Sequence, residues 1–110
     1  MGITNFESNV RTMLIFMKEN MNHGTVTLKT INTGSYKYII LAIYSSEKGL
    51  NYAVRKEKTY GKLVEIIEIY RVSIHGLEYR HNSKGSLPDS VVKEITSFHK
   101  EIMKRTGNYK

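Results

Sequence analysis

The residues of this 110-residue chain able to move protons or hold a metal are four histidines (His23, His75, His81, His99), nine glutamates and a single aspartate, Asp89. Histidine is the natural general base near neutral pH. His75 and His81 lie six apart, so on one uninterrupted strand they would share a face with Leu77 and Tyr79. With Arg71, Glu78 and Arg80 beside them they supply the parts of a metal-free ribonuclease, in which a base takes the 2′-hydroxyl proton and arginine steadies the phosphorane. Gly76 interrupts that strand, and no catalytic residue is assigned. Metal-dependent phosphoryl transfer gathers several carboxylates around the ion. Here the lone aspartate sits where a helix should begin, and Glu65 and Glu68 have the odd spacing that places them on opposite faces of an ideal strand. No metal site or cofactor is expected. The chain has no cysteine, which excludes disulfides, thiolate zinc sites and cysteine nucleophiles. Its glycines are isolated, with no run that cradles a nucleotide phosphate.

A different chemistry is suggested by Asn51 to Lys62, NYAVRKEKTYGK, where two tyrosines are interspersed with four Lys and Arg residues. Aromatic rings stack nucleobases and cations contact phosphates, the combination that single-stranded nucleic acid requires. The candidate contacts are Tyr36, Tyr38, Tyr44, Tyr52 and Tyr60 for stacking, and Lys37, Arg55, Lys56, Lys58 and Lys62 for phosphate. Whether they share a face depends on one hairpin. A three-residue loop Glu47-Lys48-Gly49 pairs Tyr44 with Tyr52, Ile40 with Lys56, Tyr38 with Lys58 and Tyr36 with Tyr60, and turns Ile39, Leu41, Ile43 and Ala53 toward the helices. A two-residue Glu47-Lys48 turn slips the register by one and breaks the platform. Neither residue of that tighter turn is Gly or Asn, so the three-residue loop is preferred.

These residues must be positioned by regular elements. Phe6, Val10, Met13, Leu14, Met17 and Met21 recur at helical spacing, predicting a first helix from Asn5 to Met21 with Thr4-x-x-Glu7 as its capping box and Gly24 after its end. From Thr25 the period becomes two. Segments 25–32, 36–44, 50–58, 62–74 and 77–81 read as strands, 62–74 also fitting a helix until its isoleucines and valines tip it toward strand. Val91, Ile95, Phe98 and Ile102 then predict a second helix from Pro88 to Arg105, opened by Ser86-x-x-Asp89 and closed by Gly107. The expected fold is a single α+β domain over residues 1–110. It is an antiparallel four- to five-stranded meander with an N-terminal and a C-terminal helix packed on one face.

Hydrophobic content of 40% and charged content of 25% are those of a globular chain. The longest early apolar run, Met13 to Met17, is too short for a membrane span, and a cytoplasmic protein is the simplest expectation. The net charge is +7, and residues 25–62 concentrate it, with seven positive against two negative side chains. A positive field draws polyanions by counterion release. The leading expectation is therefore a small non-enzymatic nucleic-acid-binding protein. The alternatives are a protein-binding module acting on an acidic partner, as inhibitor or adaptor, and then a metal-free endoribonuclease of toxin type. A homodimer through exposed edge strands is also compatible with the meander.

Overall fold

In a computed structural model of the chain the described residues are 5–75, 78–81 and 87–107. Helix α1 (Asn5–Lys18) buries Val10 and Met13 and rests Phe6, Leu14, Phe16 and Met17 against the same core. It stops a turn short of Met21. Asn20 takes a left-handed backbone (φ 49°), the Asn20 amide donates to the Met17 carbonyl, and the Met21 amide donates to the Phe16 carbonyl. This is a Schellman ending in which asparagine replaces the usual glycine. Gly24, expected as the terminator, begins the first strand instead. A side chain there would meet the Phe16 ring at 2.5 Å, so glycine is required for close approach of helix and sheet. Thr4 of the expected capping box lies outside the described residues.

Strands β1 (Gly24–Asn32), β2 (Lys37–Ser45), β3 (Gly49–Tyr60), β4 (Leu63–His75) and β5 (Glu78–His81) form one antiparallel sheet in sequence order, and α2 (Asp89–Thr106) closes the chain. The α+β meander with a helix at each end is thus as the periodicity predicts, and 62–74 is strand. Pro88 caps α2, its carbonyl accepting from the Val91 and Val92 amides, while Gly107 ends it in the left-handed region. Ser86 of the expected cap lies outside the described residues.

The decisive hairpin is a three-residue loop, but its residues are Ser46-Glu47-Lys48. Ser45 pairs with Gly49, which keeps a positive φ of 74°, and the Lys48 amide donates to Ser45 Oγ. The register therefore sits two residues from the expected one. Tyr44 faces Leu50, Ala42 faces Tyr52, Ile40 faces Val54 and Tyr38 faces Lys56. A shift of two leaves every side chain on its face, so the tyrosines and lysines do lie together.

That face is the one the helices cover. Tyr38, Ile40, Ala42, Tyr52, Val54, Tyr70 and Val72 form one buried cluster with Val10, Met13, Val91, Ile95, Phe98 and Ile102. The expectation that Ile39, Leu41, Ile43 and Ala53 would face the helices is corrected. Broad rings fill the space between sheet and helices: Phe98 stands edge-on to both Tyr52 and Phe6, with centroids 6.3 Å apart in each pair. An aromatic residue brings about 150–250 Å² into the core, which favours the tyrosine face for coverage.

Two bulges tune the sheet. Leu28 is the extra residue of β1, where Asn9 Nδ2 of α1 donates to the Thr27 and Leu28 carbonyls. Val26 and Leu28 are both buried, and with Leu28 as the extra residue Lys29 falls opposite Ile40 and reaches Glu94 of α2 at 3.9 Å. Ile67 is the extra residue of β4, opposite the Lys56–Glu57 step. It reverses the alternation, so Glu65 and Glu68 lie on one face, across from Lys58 and Lys56; the opposite-face expectation holds only for an unbroken strand.

The helices are tied across 98 residues of sequence by Arg105, whose two Nη atoms donate to the two carboxylate oxygens of Glu7. Hydrogen bonds from Arg105 hold the Glu7 pKa down at about 2. Gly24→Ala is expected to force Phe16 or β1 aside and to destabilise the fold by roughly 1–3 kcal/mol, as overpacking does. Thermal unfolding followed by circular dichroism checks this; an unchanged Tm would show that the Phe16 ring yields freely.

Candidate interaction surface

The ten residues expected to touch nucleic acid are divided by the fold. Tyr38 and Tyr52 are 6% and 2% exposed beneath the helices, so neither ring can receive a base. The Tyr52 hydroxyl lies 2.8 Å from His99 Nδ1 of α2, and the two rings meet edge to face. Burial raises the Tyr52 phenol above its ordinary range and lowers His99 below its own, so the hydrogen-bonded pair is neutral. Tyr44 donates to Asn20 Oδ1, the residue that ends α1. Lys37 and Arg55 fall on the opposite face of the sheet, where Lys37 pairs across from Glu57 and Arg55 Nε lies 2.6 Å from Glu57 Oε2.

Four of the candidates remain together where β3 runs past the helices. The ammonium of Lys56 lies 4.1 Å from the Tyr36 ring centre and 5.9 Å from that of Tyr38, and the Lys58 ammonium lies 5.2 Å from Tyr60 and 5.8 Å from Tyr36. Each contact is a cation–π interaction worth about 0.5–1 kcal/mol at an exposed site. Lys62 follows in the β3–β4 turn. The strip is less positive than its lysines suggest, because Glu65 and Glu68 stand across from Lys58 and Lys56. Burial, and then the Glu68 carboxylate, raise the Tyr70 phenol beside it.

His75 and His81 lie on separate strands, their backbones opposite Glu78 and Val72. His23 Nε2 is 3.2 Å from Thr25 Oγ1 on the surface. Among the described residues no three His, Asp or Glu side chains come close enough to hold a metal ion. A shallow groove between the helices, lined by Phe6, Ser97, Lys100, Glu101 and Lys104, has one carboxylate, and Arg105 holds it at 2.6 Å.

The feature that sequence reasoning missed is apolar. Leu63, Val64, Ile66, Ile67 and Ile69 of β4 are 74%, 57%, 52%, 40% and 51% exposed, and Tyr60 across the turn is 49% exposed. Val64, Ile66 and Ile69 pair with Thr59, Glu57 and Arg55, which puts them on the sheet face away from the helices. There they continue the half-buried row Ile39, Leu41 and Ile43 of β2, joined through Ala53 of β3. Compared with protein-family models, curated proteins and solved structures, the chain matches none. The surface must therefore be read from its own chemistry. A signal did exist: LVEIIEI is nearly continuous in apolar residues, the pattern of a strand apolar on both faces rather than one.

Because His99 is neutral when buried and ordinary (pKa 6.5) when unfolded, stability is complete above pH 6.5 and declines as pH falls below it, where the unfolded chain takes up the proton first. Tyr52→Phe should cost roughly 1–3 kcal/mol by leaving Nδ1 unpartnered. Urea unfolding between pH 5 and 8 of the wild type and of His99→Phe checks the assignment: the variant should lose that part of the slope, and an identical slope would contradict it.

Proposed function

We propose that this protein is a protein-binding module whose docking surface is the uncovered aliphatic face of its sheet and the projecting β3–β4 hairpin. The observation that carries it is the exposure of Leu63, Val64, Ile66, Ile67 and Ile69 in one strand. Soluble monomers seldom leave a contiguous apolar patch beyond a few hundred Å² in water, and such patches mark interaction sites. Magnitudes favour this surface over the basic strip. Covering one isoleucine is worth about 1.5–3 kcal/mol, and several lie side by side. The strip offers three lysines, Lys56, Lys58 and Lys62, against two facing carboxylates, with its exposed rings already in contact with ammonium groups.

A second role, nucleic-acid binding, draws on a different observation: Tyr36, Lys56, Lys58 and Tyr60 form a continuous ring-and-cation row on the helix side of the same hairpin. It leaves out Tyr38, Tyr44 and Tyr52, and places Lys37 and Arg55 on the other side.

The two roles separate by mutation. Val64→Asp with Ile66→Asp should abolish capture of protein by a photo-crosslinker at residue 41 in the native cell extract and leave any binding of labelled single-stranded RNA or DNA unchanged. Lys56→Ala with Lys58→Ala should do the reverse. Protein crosslinks that persist in the first variant would contradict the docking surface.

A further inference from the structure

We infer that the partner of the open sheet face is an acidic amphipathic helix of another protein, its apolar stripe laid on the aliphatic residues and its carboxylates beside Lys37 and Arg71; this rests on the docking surface proposed above and names its occupant.

Charge selects the partner. Between the levels of Ile43 and Val64 the open face carries three cations, Lys37, Arg55 and Arg71, and one carboxylate, Glu57. Glu57 is taken: its Oε2 lies 2.6 Å from Arg55 Nε, and its side chain is only 10% exposed. Lys37 and Arg71 are left over. Neither forms an ion pair among the described residues, and Arg71 is exposed. A net positive face on a chain that carries +7 repels a second copy and favours a partner with carboxylates at those two points.

The aliphatic residues set the shape. Ile43, Leu41 and Ile39 descend β2, and Ile69, Ile66 and Val64 descend β4. Ile39 and Ile69 stand on either side of Arg55, so the two rows join there into one oblique band. Arg71 lies on one side of the band, level with Leu41 across Ala53, and Lys37 lies on the other, level with Ile66 across Glu57. At a rise of about 3.3 Å per residue and a strand spacing of about 4.8 Å, the band from Ile43 to Val64 measures roughly 28 Å. That is the length of about 19 helical residues. An apolar stripe with carboxylates on both flanks is the complement of an apolar band with a cation on each side. The backbone also calls for a helix. β2, β3 and β4 each pair with a strand on both sides, so the face offers no free ladder to an extended segment. Such a segment would bury its amides and carbonyls on isoleucine, whereas a helix brings them already paired.

The test uses three fluorescein-labelled synthetic peptides of about 19 residues: a leucine-striped helix flanked by glutamates, the same helix with lysine for glutamate, and a scrambled order of the acidic one. Anisotropy is read at near-physiological salt, which screens attraction between distant charges. The acidic helix is expected to bind with Kd below about 100 µM, and the other two at least about tenfold more weakly. Lys37→Glu with Arg71→Glu should weaken the acidic helix at least about tenfold and strengthen the lysine-flanked one. Lys93→Glu with Lys100→Glu, the same change of charge at exposed positions of α2, should alter its affinity by no more than about twofold. Ile66→Glu with Ile69→Glu should abolish binding, with circular dichroism unchanged because both side chains are exposed. The inference is overturned if no peptide binds, if the lysine-flanked or scrambled peptide binds as tightly as the acidic one, or if Lys37→Glu with Arg71→Glu leaves binding intact. It is also overturned if the face is taken by a second copy, read as doubled mass in light scattering, or, in place of the peptide, by phosphatidylserine vesicles, read by cosedimentation. Binding of an apolar dye separates the two claims. A monomer whose dye binding is lost in the Ile66→Glu, Ile69→Glu variant keeps the open face as a docking surface for a partner of other chemistry. A monomer that binds neither peptide nor dye removes the docking surface as well.

Discussion

The molecule depends on which face of one sheet the two helices cover, and that choice is held at the meeting of Tyr52, Phe98 and His99. Phe98 stands edge-on to Tyr52, and the Tyr52 hydroxyl satisfies the imidazole of the next residue in α2. A buried polar pair is costly when broken and specific when made. Sliding β3 by one residue would turn Tyr52 outward, strand His99 without a partner and bring Arg55 and Ala53 beneath the helices. The hairpin register is thereby fixed from two sides, by the loop chemistry of Ser45 and Gly49 and by the packing of α2.

Once that face is taken, the surface of the protein is determined. The tyrosines that would have stacked bases become core, and the aliphatic residues that would have been core become surface. The basic stretch that dominates the sequence divides between the two sides of the sheet, and much of its charge meets a carboxylate: Arg55 at Glu57, Lys56 across from Glu68, Lys58 across from Glu65. Net charge then acts mainly as a field around the molecule, while the apolar face supplies the short-range attraction.

Much of this architecture was legible in the sequence, because elements follow from local periodicity. Val91, Ile95, Phe98 and Ile102 announce α2, Gly107 ends it, and alternation from Thr25 onward gives the strands and the meander. Asn20 was missed because asparagine competes with glycine for the left-handed position and Gly24 drew the boundary. The co-facial set of tyrosines and lysines was read correctly in parity, since a shift of two preserves faces. Its side was not, because coverage is a tertiary choice between two faces that are both apolar, and no local pattern ranks them. The bulge at Ile67 was likewise invisible, and with it the common face of Glu65 and Glu68.

The most direct test of the account is a set of nuclear Overhauser contacts between assigned methyl groups and the Phe98 ring. The structure requires contacts from the face that carries Ile40 and Val54, both fully buried in the cluster containing Phe98. Contacts from Leu41 or Ile43 to Phe98 or Ile95, with Ile40 and Val54 silent, would mean that the helices cover the other face, and the docking surface described here would not exist.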